Sequence, residues 1–229
     1  MAELTKDERE KQLSIVKFET HKLPVFKEEK TKRWVIYGTD KDFHNRYPDY
    51  LLQCFNRSGK HHAIILAKVK YTSGNGFEVD RTGLKVVETA TGNNLLLKAN
   101  KYGETFDDVC HKANIDDEIF GGFYLEIVWD KKGKNFDVYH MDYSRIRVSK
   151  DNDVFYYSRD WSKKEQSEEL TGFKEIKTFD PEEKSGTQLL WVKQYSPDLK
   201  HYPLPPYIGI IPYIECDFEI SNYHLSNIK

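Results

Sequence analysis

Residues 202–229 read YPLPPYIGIIPYIECDFEISNYHLSNIK. A proline-rich knee is followed by an amphipathic segment that runs to the last residue. Ile211, Ile214, Phe218, Leu225 and Ile228 recur at helical spacing and share one face, interrupted by Ser221. Pro206 and Pro212 suit the opening of a helix, because proline fixes φ and the first turn has no intrahelical partner for its N–H. Neither glycine nor proline closes the far end. This pattern predicts a long C-terminal helix that is truncated, so that the natural chain continues past it or a partner covers its end.

Working outward, 229 residues suffice for one large domain or two small ones. Hydrophobic residues at 38% allow a core. The 15 Tyr and 13 Phe serve equally a broad contact surface or a crowded β-sheet, since tyrosine joins a large ring to one polar handle. A net charge of −2 argues against tight, salt-sensitive DNA binding, which needs clustered Lys and Arg. Cys54, Cys110 and Cys216 are far apart and odd in number, which fits reduced thiols better than a disulfide framework. No apolar run approaches a bilayer span, so no membrane partner is expected.

Two regions are expected: a charged N-terminal arm over 1–33, and a body over 34–229 that ends in the truncated helix. The arm reads as a short helix or mobile segment. Trp34–Gly38 has strand character. Residues 50–71 are helical, and Ser58-Gly59 either divides them or caps a second helix. Gly74-Asn75-Gly76 is a turn before a short strand near Phe77–Val79. Residues 93–114 form a helix that Gly103 interrupts. The strands 122–129 and 135–140 flank the hairpin signal DKKGK, and 145–149 and 154–158 flank KDND. Residues 162–187 read as loop and 189–195 as strand. Helices, then an antiparallel β meander, then a long helix make an α+β plan.

The chemistry-bearing residues do not assemble into a catalytic set. His61-His62 are neighbours, about 100° apart on a helix, and do not share a metal as an i, i+4 pair would. Asp107-Asp108 and Asp116-Asp117-Glu118 could feed a two-metal nuclease only by converging from separate elements. They read instead as caps for the following helix. No P-loop, dinucleotide fingerprint or nucleophile elbow is present. The chain is therefore expected to be no enzyme, with no catalytic residue, no metal and no cofactor.

Several blocks, in order, resemble the N-terminal part of tailed-bacteriophage portal proteins. They are WVIYGTD (34–40), YPDYLL (47–52), NRSGKHHAII (56–65), GNGF (74–77), FGGFYLE (120–126) and HMDYSRIR (140–147). The best match is YPLPPYIG (202–209), similar to the Tyr-Gly-x-Pro-x-Tyr-Leu knee that precedes a long helix in that family, with Pro203 where glycine is common. The resemblance implies the outer wing part of a portal subunit, lacking the stem, clip and crown. Its implied role is structural, in a ring, usually of twelve copies, at one capsid vertex. Double-stranded DNA passes through that ring without sequence readout. The implied partners are further copies of itself, the terminase, the capsid and head–tail adaptor proteins. The implied location is the virion, and the host cytoplasm during assembly. A non-catalytic head–tail adaptor is the alternative, and a metal-dependent nuclease a third reading.

On this reading Tyr202, Pro205, Tyr207 and Ile208 orient the last helix. Trp34, Tyr37 and Tyr50 fasten the N-terminal part to the sheet. Phe218 and Leu225 contact a neighbour or the missing half. Phe218→Asp is expected to lower assembly more than Asp108→Ala, and equal effects in sedimentation would contradict that assignment.

Overall fold

Asp130 reverses the chain between two strands by accepting from the backbone N–H groups of Lys132 at 3.0 Å and Lys134 at 2.9 Å. The hairpin it closes joins β1 (Gly122–Trp129) to β2 (Phe136–Met141). A computed structural model describes residues 28, 30, 31, 33–38, 45–78, 94–161 and 173–228. Most of the charged arm, Val79 of the short strand after Gly76, and residues 162–172 of the expected loop lie outside them.

The second hairpin signal also closes a turn. Ser149 Oγ accepts from the N–H groups of Asp153 and Val154, both at 3.2 Å. This turn joins β3 (Ile146–Val148) to β4 (Val154–Tyr157). Two further strands, β5 (Lys174–Thr178) and β6 (Thr187–Lys193), complete a six-stranded sheet of order β2-β1-β6-β5-β4-β3. The α+β plan stands, with two refinements. First, β6 returns between β1 and β5, antiparallel to one and parallel to the other, so the strand order is not that of a simple meander. Second, β5 occupies part of the expected loop. Its sequence, KEIKT, buries Ile176 alone, and charged neighbours hide its alternation.

Four helices of eleven residues or more complete the fold among the described residues. α1 (Tyr47–Arg57) and α2 (Gly59–Ser73) meet at Ser58, which ends the first and caps the second by accepting from His61 N–H at 3.2 Å. Both readings of Ser58-Gly59 are realised at once. α3 (Phe106–Phe120) opens on a capping box, with Thr105 and Asp108 each accepting the other's backbone N–H. It ends on Gly121 at φ 83°. The segment expected as a helix over 93–114, interrupted at Gly103, is one turn at 94–97, a non-helical link that includes Gly103, and α3, which runs on to Phe120. α4 (Ile211–Ile228) follows a 3₁₀ turn, Ile208–Ile210.

α3 packs on β1 and β2, α2 packs on α3, and α1 contacts both helices and α4. Successive residues of β1 feed two apolar clusters, Tyr124 the larger and Leu125 the smaller, as a period-two strand requires. The larger cluster is rich in tyrosine. Tyr143 stacks on Phe120 with centroids 4.8 Å apart, and Tyr124 lies 4.8 Å from Tyr143. Arg147, on β3, is wholly buried beside this cluster. Its guanidinium donates to the Ser144 and Ile146 carbonyls and to the side chain and carbonyl of Asn45. It also lies over the Trp161 ring at 4.8 Å. Asn45 is held at φ 63° and its side-chain oxygen also accepts from Tyr37 N–H, so one buried cation fixes the approach to α1.

Backbone groups on both edge strands are paired outward at their centres. At β2, Val138 N–H donates to the Ala99 carbonyl at 2.7 Å, and Asn100 Nδ2 donates to the Val138 carbonyl at 3.1 Å. At β3, Val35 N–H donates to the Val148 carbonyl at 2.9 Å, and Trp34 bridges Ser149. The strand expected over 34–38 is thus reduced to isolated bridges. The next rung is supplied by a side chain. The Tyr202 hydroxyl accepts from Val148 N–H at 3.1 Å and donates to the Val35 carbonyl at 2.6 Å. Removing it leaves two backbone groups unpaired where water cannot reach. Tyr202→Phe is expected to cost about 1–3 kcal/mol. Urea titration measures this, and an unchanged midpoint would contradict the clamp.

Candidate functional site

The knee is a buried junction. Tyr202 stacks on Tyr37 with centroids 4.0 Å apart and planes 7° apart, and the Tyr37 hydroxyl donates to the Pro203 carbonyl at 3.3 Å. The Glu28 carboxylate accepts from three successive backbone N–H groups, those of Lys200, His201 and Tyr202, at 2.6–3.0 Å. Gly121 allows the close approach on the other side: a Cβ there would lie 2.6 Å from the Leu204 carbonyl oxygen. Pro205 is buried, and its carbonyl accepts from Ile208 N–H at 3.1 Å, which starts the 3₁₀ turn into α4. Tyr207 ties that turn to α3 by donating to the Ile119 carbonyl at 2.9 Å.

Of the residues singled out in sequence, Tyr202, Pro205, Tyr207 and Ile208 converge at this junction, and Tyr37 joins them. Trp34 sits apart against Trp161, Phe173 and Tyr156 over the β3–β4 end of the sheet. Tyr50 packs against the main apolar cluster and also reaches α4: its hydroxyl donates to Glu215 at 2.7 Å, which fastens α1 to α4. Ser58 makes a parallel tie, donating to Asp217 at 2.8 Å while it caps α2.

α4 is divided along its length. Ile211, Ile214 and Phe218 are buried, the last two packed with Cys54 of α1, and the Arg57 guanidinium lies 4.7 Å from the Phe218 ring. Phe218 is therefore spent inside the chain, and Phe218→Asp would disturb folding as well as assembly. Every described residue after it in α4 is exposed, including Leu225 at 63% and Ile228 at 81%. Beneath the buried half, α2 and α4 enclose an open cleft of about 570 Å³ walled by Ile64, Ile65, Ile210, Tyr213 and Ile220. Lys60 and Lys68 stand at its rim, paired with Asp217 and Glu118.

The acidic run at the end of α3 diverges. Asp116 accepts from Tyr143 N–H at 3.3 Å and pairs with His140 Nε2 at 2.7 Å. Asp117 accepts from Gln194, and Glu118 holds Lys68. These three residues are ties in the last turn of α3 and not caps of a following helix, as the sequence suggested; only Asp107 and Asp108 occupy a first turn. No group of three or more His, Cys, Asp or Glu able to hold a metal occurs among the described residues. No described helix is long and apolar enough to cross a membrane.

No protein-family model matches the chain, and no curated protein matches it in sequence. Solved structures do. A chain in the neck of an empty gene transfer agent particle, computed with C6 symmetry, aligns at TM-score 0.61 and 13% identity, covering 80% of this chain and 46% of the other. A chain in the virion of the native gene transfer agent particle aligns at TM-score 0.62 and 14% identity, covering 87% and 48%. The fold is shared with gene transfer agent particle proteins. The chain spans less than half the length of either neighbour.

The junction carries two histidines whose burial opposes protonation. His61, edge-on to Tyr207 at 4.2 Å, is held below the ordinary histidine range by burial and then by His62. His201 is lowered chiefly by burial. The unfolded chain then binds more protons than the folded one, so stability is full above the unfolded histidine pKa and declines as pH falls below it. Asp116, raised by burial, acts in the opposite sense and from the lower carboxylate range. Thermal midpoints are expected to fall between pH 7.5 and pH 5, and to fall less in His61→Gln. Identical slopes for the two proteins would refute the assignment.

Proposed function

We propose that this chain is the wing part of a portal-like subunit in a phage-derived particle, a structural element of a ring at one vertex. The observation that carries the reading is the shared fold with neck and virion chains of gene transfer agent particles. The knee supports it: the segment resembling the portal knee is the one that stacks on Tyr37 and aims α4 out of the body. On this reading the chain is followed by further segments that line the channel. Its partners are neighbouring copies, the terminase, the capsid and a head–tail adaptor, with double-stranded DNA passing through. It breaks no bonds of its own, and its carboxylates serve as helix caps and ties.

A net charge of −2 suits a conduit, because each neutralised phosphate would add a salt-dependent grip on DNA. The neck location of one neighbour also favours a second reading, a head–tail adaptor stacked on the ring. Immunogold labelling of particles assembled with the full gene product separates the two. A portal-like subunit is expected at one vertex of tailless heads, and the released complex is a ring with a central hole. Label that appears only after tails attach supports the adaptor, and label spread over the shell overturns both.

A further inference from the structure

Just ahead of Pro203 the backbone forms a seat for an oxyanion. The N–H groups of Lys200, His201 and Tyr202 all point at one carboxylate and use both of its oxygens. Glu28 Oε1 accepts from His201 at 2.6 Å and from Tyr202 at 3.0 Å, and Oε2 accepts from Lys200 at 3.0 Å. Successive N–H groups gathered on one point make an anion-binding concavity. Hydrogen bonds to an ionised acceptor are the stronger kind, and here both oxygens of a planar group are engaged.

The seat is held from behind by groups other than Glu28. Lys193 Nζ donates to the carbonyls of Lys200 at 2.6 Å and His201 at 3.0 Å, and lies 4.2 Å from the centre of the Trp191 ring. The buried His201 ring pairs through Nδ1 with Asn152 Oδ1 at 3.0 Å, in the turn between β3 and β4. Tyr202 is pinned between Val35 and Val148 and stacked on Tyr37. The three N–H groups therefore stay aimed at one point when the carboxylate leaves, and a preorganised site binds at lower cost. The surroundings are cationic. Burial holds His201 below its ordinary range, Lys30, Lys193 and Lys200 add to this, and Glu28 opposes it.

The occupant is rooted differently from the seat. Glu28 lies in neither helix nor strand, and its nearest described backbone pairing is the isolated bridge between Lys30 and Val35. The seat belongs to the body, and the carboxylate to the charged segment that precedes it.

We propose that the backbone of residues 200–202 is a carboxylate-binding seat, which Glu28 fills from within and which a carboxylate of another molecule takes when Glu28 leaves it. The ligand class is a carboxylate at the end of a side chain or a peptide, the group that backbone concavities of this kind capture. The inference concerns the knee alone and is independent of the ring reading.

The test follows amide hydrogen exchange by NMR in the 229-residue chain, with acetate as the probe. In Glu28→Ala the amides of Lys200, His201 and Tyr202 are expected to exchange about ten-fold faster or more. Val148 N–H, which donates to the Tyr202 hydroxyl, keeps its protection. Acetate slows the three amides again along a saturable curve, and sodium chloride of equal ionic strength does not. Glu28→Gln is the milder variant. Its side-chain oxygen still serves His201 and Tyr202 while its NH₂ group faces the Lys200 N–H, so the Lys200 amide alone loses protection and acetate restores it.

Loss of Val148 protection along with the three amides would make Glu28 a structural tie and overturn the seat. Equal rescue by chloride would be charge screening and would overturn it too, as would no rescue in a variant that circular dichroism shows to be folded. Phosphate that rescues where acetate fails would overturn the carboxylate assignment.

Discussion

One phenolic hydroxyl holds three distant parts of this chain together. Tyr202 O–H stands between the Val35 carbonyl and the Val148 N–H, where a neighbouring strand would otherwise supply the rung. Burial keeps the phenol protonated far above its ordinary range, so it can donate and accept at once at any pH the fold survives. The ring lies flat on Tyr37, whose own hydroxyl reaches the Pro203 carbonyl. The direction of α4 depends on this arrangement, since the knee leaves the sheet at the point where Tyr202 is pinned.

The rest of the junction reinforces that direction from independent elements. Glu28 gathers three backbone N–H groups on one side of the knee, and Gly121 makes room on the other. Tyr207 binds α3, Tyr50 and Ser58 bind α4 back to the first two helices, and Arg147 fixes the chain ahead of α1. Tertiary ties are thereby concentrated at the root of α4, while every described residue of the helix after Phe218 is exposed.

Much of this was legible in the sequence where local chemistry decides structure. DKKGK and KDND closed their hairpins because Asp130 and Ser149 bind nearby backbone N–H groups. The split at Ser58 was visible as a cap. Non-local chemistry was not visible. β5 is charged on most positions and is a strand because β4 and β6 flank it. The link between residues 97 and 106 reads as helix broken only at Gly103, and leaves helical geometry earlier because Ala99 and Asn100 bind the β2 edge instead. At the site, the knee residues stood out by their aromatic and proline pattern. Arg147 did not, because its partners are carbonyls and an amide scattered along the chain, which have no sequence signature.

The backbone groups paired outward at the two margins of the sheet limit what can add to it. Main-chain pairing between exposed strands is indifferent to side chains and has no natural stopping point, which is how crowded β-proteins polymerise without limit. Here residues 99–100 shield one margin, and Trp34, Val35 and Tyr202 shield the other. With those backbone groups already paired, a foreign strand cannot add to the sheet by main-chain hydrogen bonds at Val138 or Val148.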